Sequence, residues 1–180
     1  VSLVSDKNRY APGETATVLI TSPFASSRGF LTLEHNGILE HRPLVLKGNS
    51  TSVRVKLTEH HLPNLYVSAF LVRGRVPQKA TPTDRDPGRP LFARGSTSLS
   101  ILLTSRKISV TVTPAKSVLQ PGQKVTVKLQ TRDHKGRGVP SRVALVAVDE
   151  GLLSLLGYSI PDPLGIFYPY AATRSAMVDT

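Results

Sequence analysis

Cysteine and tryptophan are both absent from this sequence. Without cysteine, the stretch holds no disulfide, no thiolate nucleophile and no Cys-ligated zinc. Aromatic residues make up only 6% of the chain, so any core has to be filled by Val, Leu, Ile and Ala. No run approaches the ~20 consecutive apolar residues that a membrane helix requires. The opening Val1-Ser2-Leu3-Val4 lacks the charged start, apolar region and cleavage site of a signal peptide. It reads as a strand that begins at once, as expected of a piece of a longer chain. Acidic residues are scarce as well: 12 Asp and Glu stand against 23 Lys and Arg, for a net charge of +11. That charge is scattered, without a long basic run and without interleaved stacking aromatics. A solvated basic surface is therefore favoured over nucleic-acid binding.

What is there is alternation with a period of two and almost no helical periodicity. Ala16-Thr17-Val18-Leu19-Ile20 follows the turn signal Ala11-Pro12-Gly13. Gly29–Glu34 and Ile38-Leu39-Glu40 flank His35-Asn36-Gly37, where Asn-Gly marks a hairpin that needs positive φ. Thr51–Leu57 places Val53, Val55 and Leu57 on one face, with Arg54 and Lys56 on the other. Leu65–Arg73 is more continuously apolar and reads as a central strand, and Ser96–Leu103 closes the set. With the opening strand and Pro43–Lys47, this makes about seven strands in about 105 residues, the spacing of a β-sandwich. Between Val76 and Arg94 the pattern stops at Pro77, Pro82, Pro87 and Pro90. Proline at that density removes too many ladder donors for a sheet interior, so a long exposed loop is expected.

An internal repeat opens a second module near Arg106. Tyr10-Ala11-Pro12-Gly13-Glu14-Thr15-Ala16-Thr17-Val18 has its counterpart in Leu119-Gln120-Pro121-Gly122-Gln123-Lys124-Val125-Thr126-Val127, and Lys7 and Lys116 keep the same offset. In each, Pro sets φ at one turn position and Gly supplies positive φ at the next. The second copy is incomplete. Strands are expected at Lys107–Thr113, Lys124–Arg132 and Arg142–Val148, with a fourth at Leu152–Leu156, before Pro161-Asp162-Pro163 ends the regularity. So few strands leave edges and one sheet face open, so the remainder has to come from elsewhere in the parent chain or from a partner.

Residues suited to catalysis or metal binding do not gather. His60 and His61 are adjacent, which on a strand would send them to opposite faces, and they lie beside Pro63-Asn64 in a turn. His35 and His41 border the hairpin, and His134 stands alone. No pair of carboxylates is spaced for acid–base work, and Asp149-Glu150 reads as a polar turn that ends a strand. No nucleophile elbow, phosphate loop or dinucleotide fingerprint is present. Asn49-Ser50-Thr51 fits the glycosylation pattern, which matters only in a eukaryotic secretory setting. No enzyme, cofactor or metal is expected.

Three stretches carry a family resemblance. Arg9-Tyr10-Ala11-Pro12-Gly13-Glu14-Thr15-Ala16 with Ser22-Pro23-Phe24 is similar to the entry motif of macroglobulin-type domains in bacterial alpha-2-macroglobulins. Pro63-Asn64-Leu65-Tyr66-Val67-Ser68, leading to Val72-Arg73-Gly74-Arg75, matches the same module. Val146-Ala147-Val148-Asp149-Glu150-Gly151-Leu152-Leu153-Ser154-Leu155, with Gly157-Tyr158, Pro161-Asp162-Pro163-Leu164 and Phe167-Tyr168, resembles the part of a macroglobulin domain that runs into the bait region. The resemblance implies an all-β fold of tandem immunoglobulin/fibronectin-like antiparallel β-sandwich (macroglobulin) domains, the second incomplete. Residues 1–105 would be a complete domain, 106–160 the N-terminal portion of a second, and 161–180 an extended segment leading toward the bait. It accounts for the missing half-domain, because in this family the bait is inserted within one macroglobulin domain.

The implied function is structural: part of a broad-spectrum protease trap that positions the bait and transmits its cleavage. Implied partners are target proteases, met through the parent protein, and other macroglobulin domains of the same chain. Nucleic acid and direct membrane insertion are not among them. The implied location is the periplasm or cell envelope, with a lipid anchor at the parent's N-terminus, or the secreted fraction. A thioester, found in many members, cannot lie in a stretch without cysteine. Tyr170-Ala171-Ala172-Thr173-Arg174-Ser175-Ala176-Met177 mixes small residues with side chains that suit different proteases, which singles out Tyr170, Arg174 and Met177 as a bait-proximal, protease-sensitive segment. An unstructured tail or another strand of the split domain is the alternative for these residues. For the chain as a whole, the alternative is a ligand-binding module of a bacterial adhesin or surface receptor, with the 77–93 loop as its contact. A carbohydrate-binding accessory domain is weakened by the lack of Trp.

Overall fold

The period-two pattern of the first hundred residues resolves into eight strands in two sheets. The computed structural model describes residues 1–173 apart from Pro82, Asp84, Arg85, Pro121, Tyr158 and Ile160. Val1–Leu102, together with the chain from Pro169, forms one unit, and Leu103–Tyr168 forms a second. The strands of the first unit are β1 (Ser2–Ser5), β2 (Arg9–Tyr10), β3 (Thr15–Thr21), β4 (Ser27–Glu34), β5 (Ile38–Leu46), β6 (Ser50–Lys56), β7 (Asn64–Arg73) and β8 (Leu91–Ile101). One sheet has the order β1-β3-β6 and the other β2-β8-β7-β4-β5. Neighbours are antiparallel except for the two residues of β2, which run parallel to β8 through Arg9↔Ser100 and Tyr10↔Ile101.

Both sheets turn their apolar rows inward. Leu3, Ala16, Val18, Ile20 and Val55 are buried on the smaller sheet, and Leu31, Leu33, Leu65, Val67, Ala69, Leu71, Leu99 and Ile101 on the larger. Each fully buried Val or Leu contributes about 1.5–3 kcal/mol relative to exposure, so these rows set the register of both sheets. Close approach is enforced at Gly95, where a Cβ would lie 2.3 Å from the Val1 carbonyl oxygen and 2.9 Å from Leu3 Cδ1. The Asn-Gly signal holds its place, since Asn36 adopts φ 56 between β4 and β5. Ile38-Leu39-Glu40 and Pro43–Lys47, read as separate stretches, form the single strand β5. It lies at the sheet edge, where a proline costs no interior ladder bond.

The proline-rich loop lies three residues earlier in the chain than its composition predicts. β8 begins at Leu91, paired with Arg73, so residues 74–90 rather than 77–93 form the connection. Its ends are clasped: Val76 N–H donates to the Gly88 carbonyl at 3.0 Å. The Arg75 guanidinium spans both oxygens of Asp86 at 2.8 and 3.0 Å.

In the second unit, β9 (Ser109–Pro114) and β10 (Val127–Arg132) pair antiparallel as an isolated two-stranded sheet. Gly13 and Gly122 both take positive φ, at 94° and 81°. The turns close in the same way, Glu14 N–H to the Ala11 carbonyl and Gln123 N–H to the Gln120 carbonyl, each at 3.1 Å. The expected strand at Arg142–Val148 is not formed. Those residues carry no regular structure, and Val143, Leu145, Val146 and Val148 are exposed. A strand needs a neighbour for its N–H and C=O groups, and the described residues of this unit supply none there. The expected fourth strand at Leu152–Leu156 is instead the helix α1 (Glu150–Leu156). Asp149, read as a turn that ends a strand, starts the helix by accepting the Leu152 N–H at 3.2 Å, and Gly157 ends it in the left-handed region. The 161–180 stretch, expected to be extended, first forms a second helix, α2 (Pro163–Phe167), capped by Asp162 with Pro163 in its first turn.

Candidate functional site

Alternation in β4, β7 and β8 sends Glu34, Asn64, Ser98 and Ser100 to the face opposite the buried Leu33, Leu65, Leu99 and Ile101. Such a face normally meets water. Here Asn64 is 0% and Glu34 1% exposed, because the chain from Pro169 crosses this end of the sheet. The Ala171 N–H donates to Asn64 Oδ1 at 2.8 Å, and Asn64 Nδ2 donates to the Ala171 carbonyl at 3.2 Å. A carboxamide carries the same donor and acceptor as a peptide group, so Asn64 holds residue 171 as a neighbouring strand would. Asn64 Nδ2 also reaches Ser98 Oγ at 3.4 Å.

The crossing is anchored on either side of Ala171, which is itself buried at 3% exposure. Upstream, the Tyr170 hydroxyl hydrogen-bonds to Ser100 Oγ. Downstream, the Thr173 hydroxyl donates to Glu34 Oε2 at 2.7 Å, while Thr32 Oγ1 donates to Glu34 Oε1, also at 2.7 Å. The segment therefore runs across β8, β7 and β4 in turn. The base of the site is shaped by the turn before β7. Glu59–His61 forms a single 3₁₀ turn, the Leu62–Pro63 peptide is cis, and the His35 Nδ1–H donates to the Asn64 carbonyl at 2.9 Å.

The sequence-predicted residues are distributed unevenly over this site. Tyr170 belongs to it, with its ring largely exposed, whereas Arg174 and Met177 lie outside the described residues. His60 and His61 sit in the 3₁₀ turn, and His41 stacks edge-on against Phe30 with ring centroids 6.5 Å apart. Among the described residues no cluster of three His, Cys, Asp or Glu could hold a metal. Asn64, Glu34, Ser98 and Ser100 were missed as site residues. The signal for Asn64 was its presence at the start of an apolar strand, where asparagine is disfavoured. A shallow depression of about 640 Å³ elsewhere on this unit is lined by Ser27, Arg28, Lys47, Arg73 and Arg75. It brings cations together without an acid–base pair.

The described site therefore holds a chain segment by its backbone. The family model for the alpha-2-macroglobulin bait region domain matches residues 1–155. The chain belongs to that family. An alpha-2-macroglobulin homolog from Nostoc is 28% identical over 163 residues, covering 91% of this chain and 8% of that protein. The alpha-2-macroglobulin of Escherichia coli K12 is 30% identical over 175 residues, covering 93% of this chain and 10% of that protein. The native conformation of the E. coli protein, seen by cryo-electron microscopy, matches over 94% of this chain and 10% of its own, with a TM-score of 0.53 at 21% identity. That likeness speaks to the fold alone. The bait region domain described here thus spans about a tenth or less of the proteins it matches.

Proposed function

We propose that this bait region domain is a structural part of a broad-spectrum protease trap, holding the entry to the bait and passing on its cleavage. The observation that carries the reading is the clamp of Asn64 on Ala171, immediately upstream of the small-residue stretch that includes Arg174 and Met177. A bait must offer extended backbone to many proteases while its ends stay fixed, so that a cut changes the tension on the domains around it. On this reading Tyr170 lies at the fixed end, and Arg174 and Met177 lie in the protease-sensitive part. Target proteases and other macroglobulin domains of the parent are the partners, and the periplasm, cell envelope or secreted fraction is the location.

The finer architecture follows the same reading: residues 1–105 a complete macroglobulin-type β-sandwich, and 106–160 the start of a second, interrupted by the bait. Exposure of Val110, Val112 and Leu129 on the β9–β10 pair supports this, since a two-stranded sheet with a bare apolar row is not stable alone. The test is to mix the full-length protein with several unrelated proteases and map the first cuts. Cuts concentrated downstream of residue 165, with the protease retained afterwards, are expected. Cuts scattered over the chain, or a released and fully active protease, would overturn the reading.

A further inference from the structure

We infer that Asn64 and Glu34 form a dock that sets the upstream limit of the protease-sensitive segment, so that the first bond a protease reaches lies beyond Thr173. This rests on the bait reading above and deepens it. A protease binds its substrate as an extended strand, and the N–H and C=O groups around the scissile bond must be free to pair with the cleft. At Ala171 both are taken by Asn64, at 2.8 and 3.2 Å, and the residue is 3% exposed. Two residues on, the Thr173 side chain is held by Glu34 Oε2. Tyr170 shows the consequence most sharply. The residue is 61% exposed, an attractive side chain for a chymotrypsin-like enzyme, yet the bond that follows it leads straight into the clamp.

The dock is built to stay closed. Asn64 is fully buried, and lifting the segment away would strip its carboxamide of both Ala171 partners at once. A cut beyond Thr173 therefore leaves a stub that remains on the sheet. The upstream side of the bait keeps its anchor, and only the downstream side gains freedom. Asn64 and Glu34 act here as positioning residues.

Limited chymotrypsin digestion of the full-length protein tests this through the Tyr170–Ala171 bond. Its cleavage is expected to be slower by about tenfold or more than in a synthetic peptide spanning residues 166–177, because cleavage of a docked segment tracks its open population. Asn64→Ala and Ala171→Lys should each restore rapid cutting there. The second variant alters only the docked segment, so it keeps the test valid if Asn64→Ala fails to fold. Equal rates in the native protein and the peptide would overturn the dock, as would full protection in the Ala171→Lys variant. Protease capture is read in parallel. Lost capture with the bond still protected supports the dock while sinking the trap reading, and retained capture with a freely cut bond does the reverse.

Discussion

Asn64 and Ala171 meet across 107 positions of sequence through a matched pair of hydrogen bonds, one accepted and one donated by the same carboxamide. The pair sits where no water can substitute for either partner, since both residues are buried. Replacing Asn64 by Asp keeps an acceptor for the Ala171 N–H but turns the donor into a second oxygen facing the Ala171 and Ser98 oxygens. A loss of about 1–3 kcal/mol in urea unfolding is expected, with faster exchange of the Ala171 amide. Unchanged exchange at that amide would mean that the clamp does not hold the segment in solution.

His61 predicts a pH dependence in the turn below this clamp. Burial holds its imidazole below the ordinary value, His35 and His60 push the same way, and Glu40 opposes them. Its Nδ1 accepts the Thr58 N–H at 3.2 Å, which only the neutral ring can do. A folded-state value below the unfolded one makes this contribution complete above about pH 6.5 and loses it as pH falls toward the folded value. Stability measured from neutral to mildly acid pH should therefore decline, and His61→Gln should flatten that decline. Identical profiles for the two proteins would remove His61 as its source.

Gly29 faces the β7 backbone so closely that an added Cβ would lie 1.7 Å from the Phe70 carbonyl oxygen. Backbone cannot step aside as a side chain can, so Gly29→Ala has to part β4 from β7. Destabilisation of about 1–3 kcal/mol is expected by thermal or urea unfolding. A variant as stable as the parent would show that the two strands are not held at this spacing.

Arg75 and Asp86 clasp the proline-rich connection at the surface, with side chains 63% and 50% exposed. An exposed pair of this kind contributes roughly 0–1 kcal/mol. Arg75→Ala should leave the unfolding midpoint nearly unchanged while making residues 77–86 easier to nick. A large stability loss would show that the clasp supports the sheet as well as the loop.

Much of the first unit was legible because burial on one face forces strict alternation. Val18 and Ile20, Val55 and Leu57, and Leu31 and Leu33 could be placed inward from spacing alone, and Asn36-Gly37 located the hairpin. The connection at 74–90 was placed three residues too far along because Pro87 and Pro90 obscured the start of β8, where Leu91 pairs with Arg73. The second unit was harder to read for a physical reason. The apolar run from Val143 to Leu156 has the composition of strands, but a strand is decided by its neighbours. Without one, the part bounded by Asp149 and Gly157 takes the helix that its own caps support.

By itself, the sequence determined the all-β character of the first unit, the repeated Pro-Gly turn and the family to which the chain belongs. These depend on local periodicity and short motifs, which act over a few residues and survive any tertiary context. Only the tertiary structure decided where residues 169–173 rest and what Asn64 and Glu34 do. An asparagine at a strand's first position and a glutamate at a strand's end carry no mark of a partner more than a hundred residues away. Their roles exist because folding lays that partner across the sheet and excludes the water they would otherwise bind.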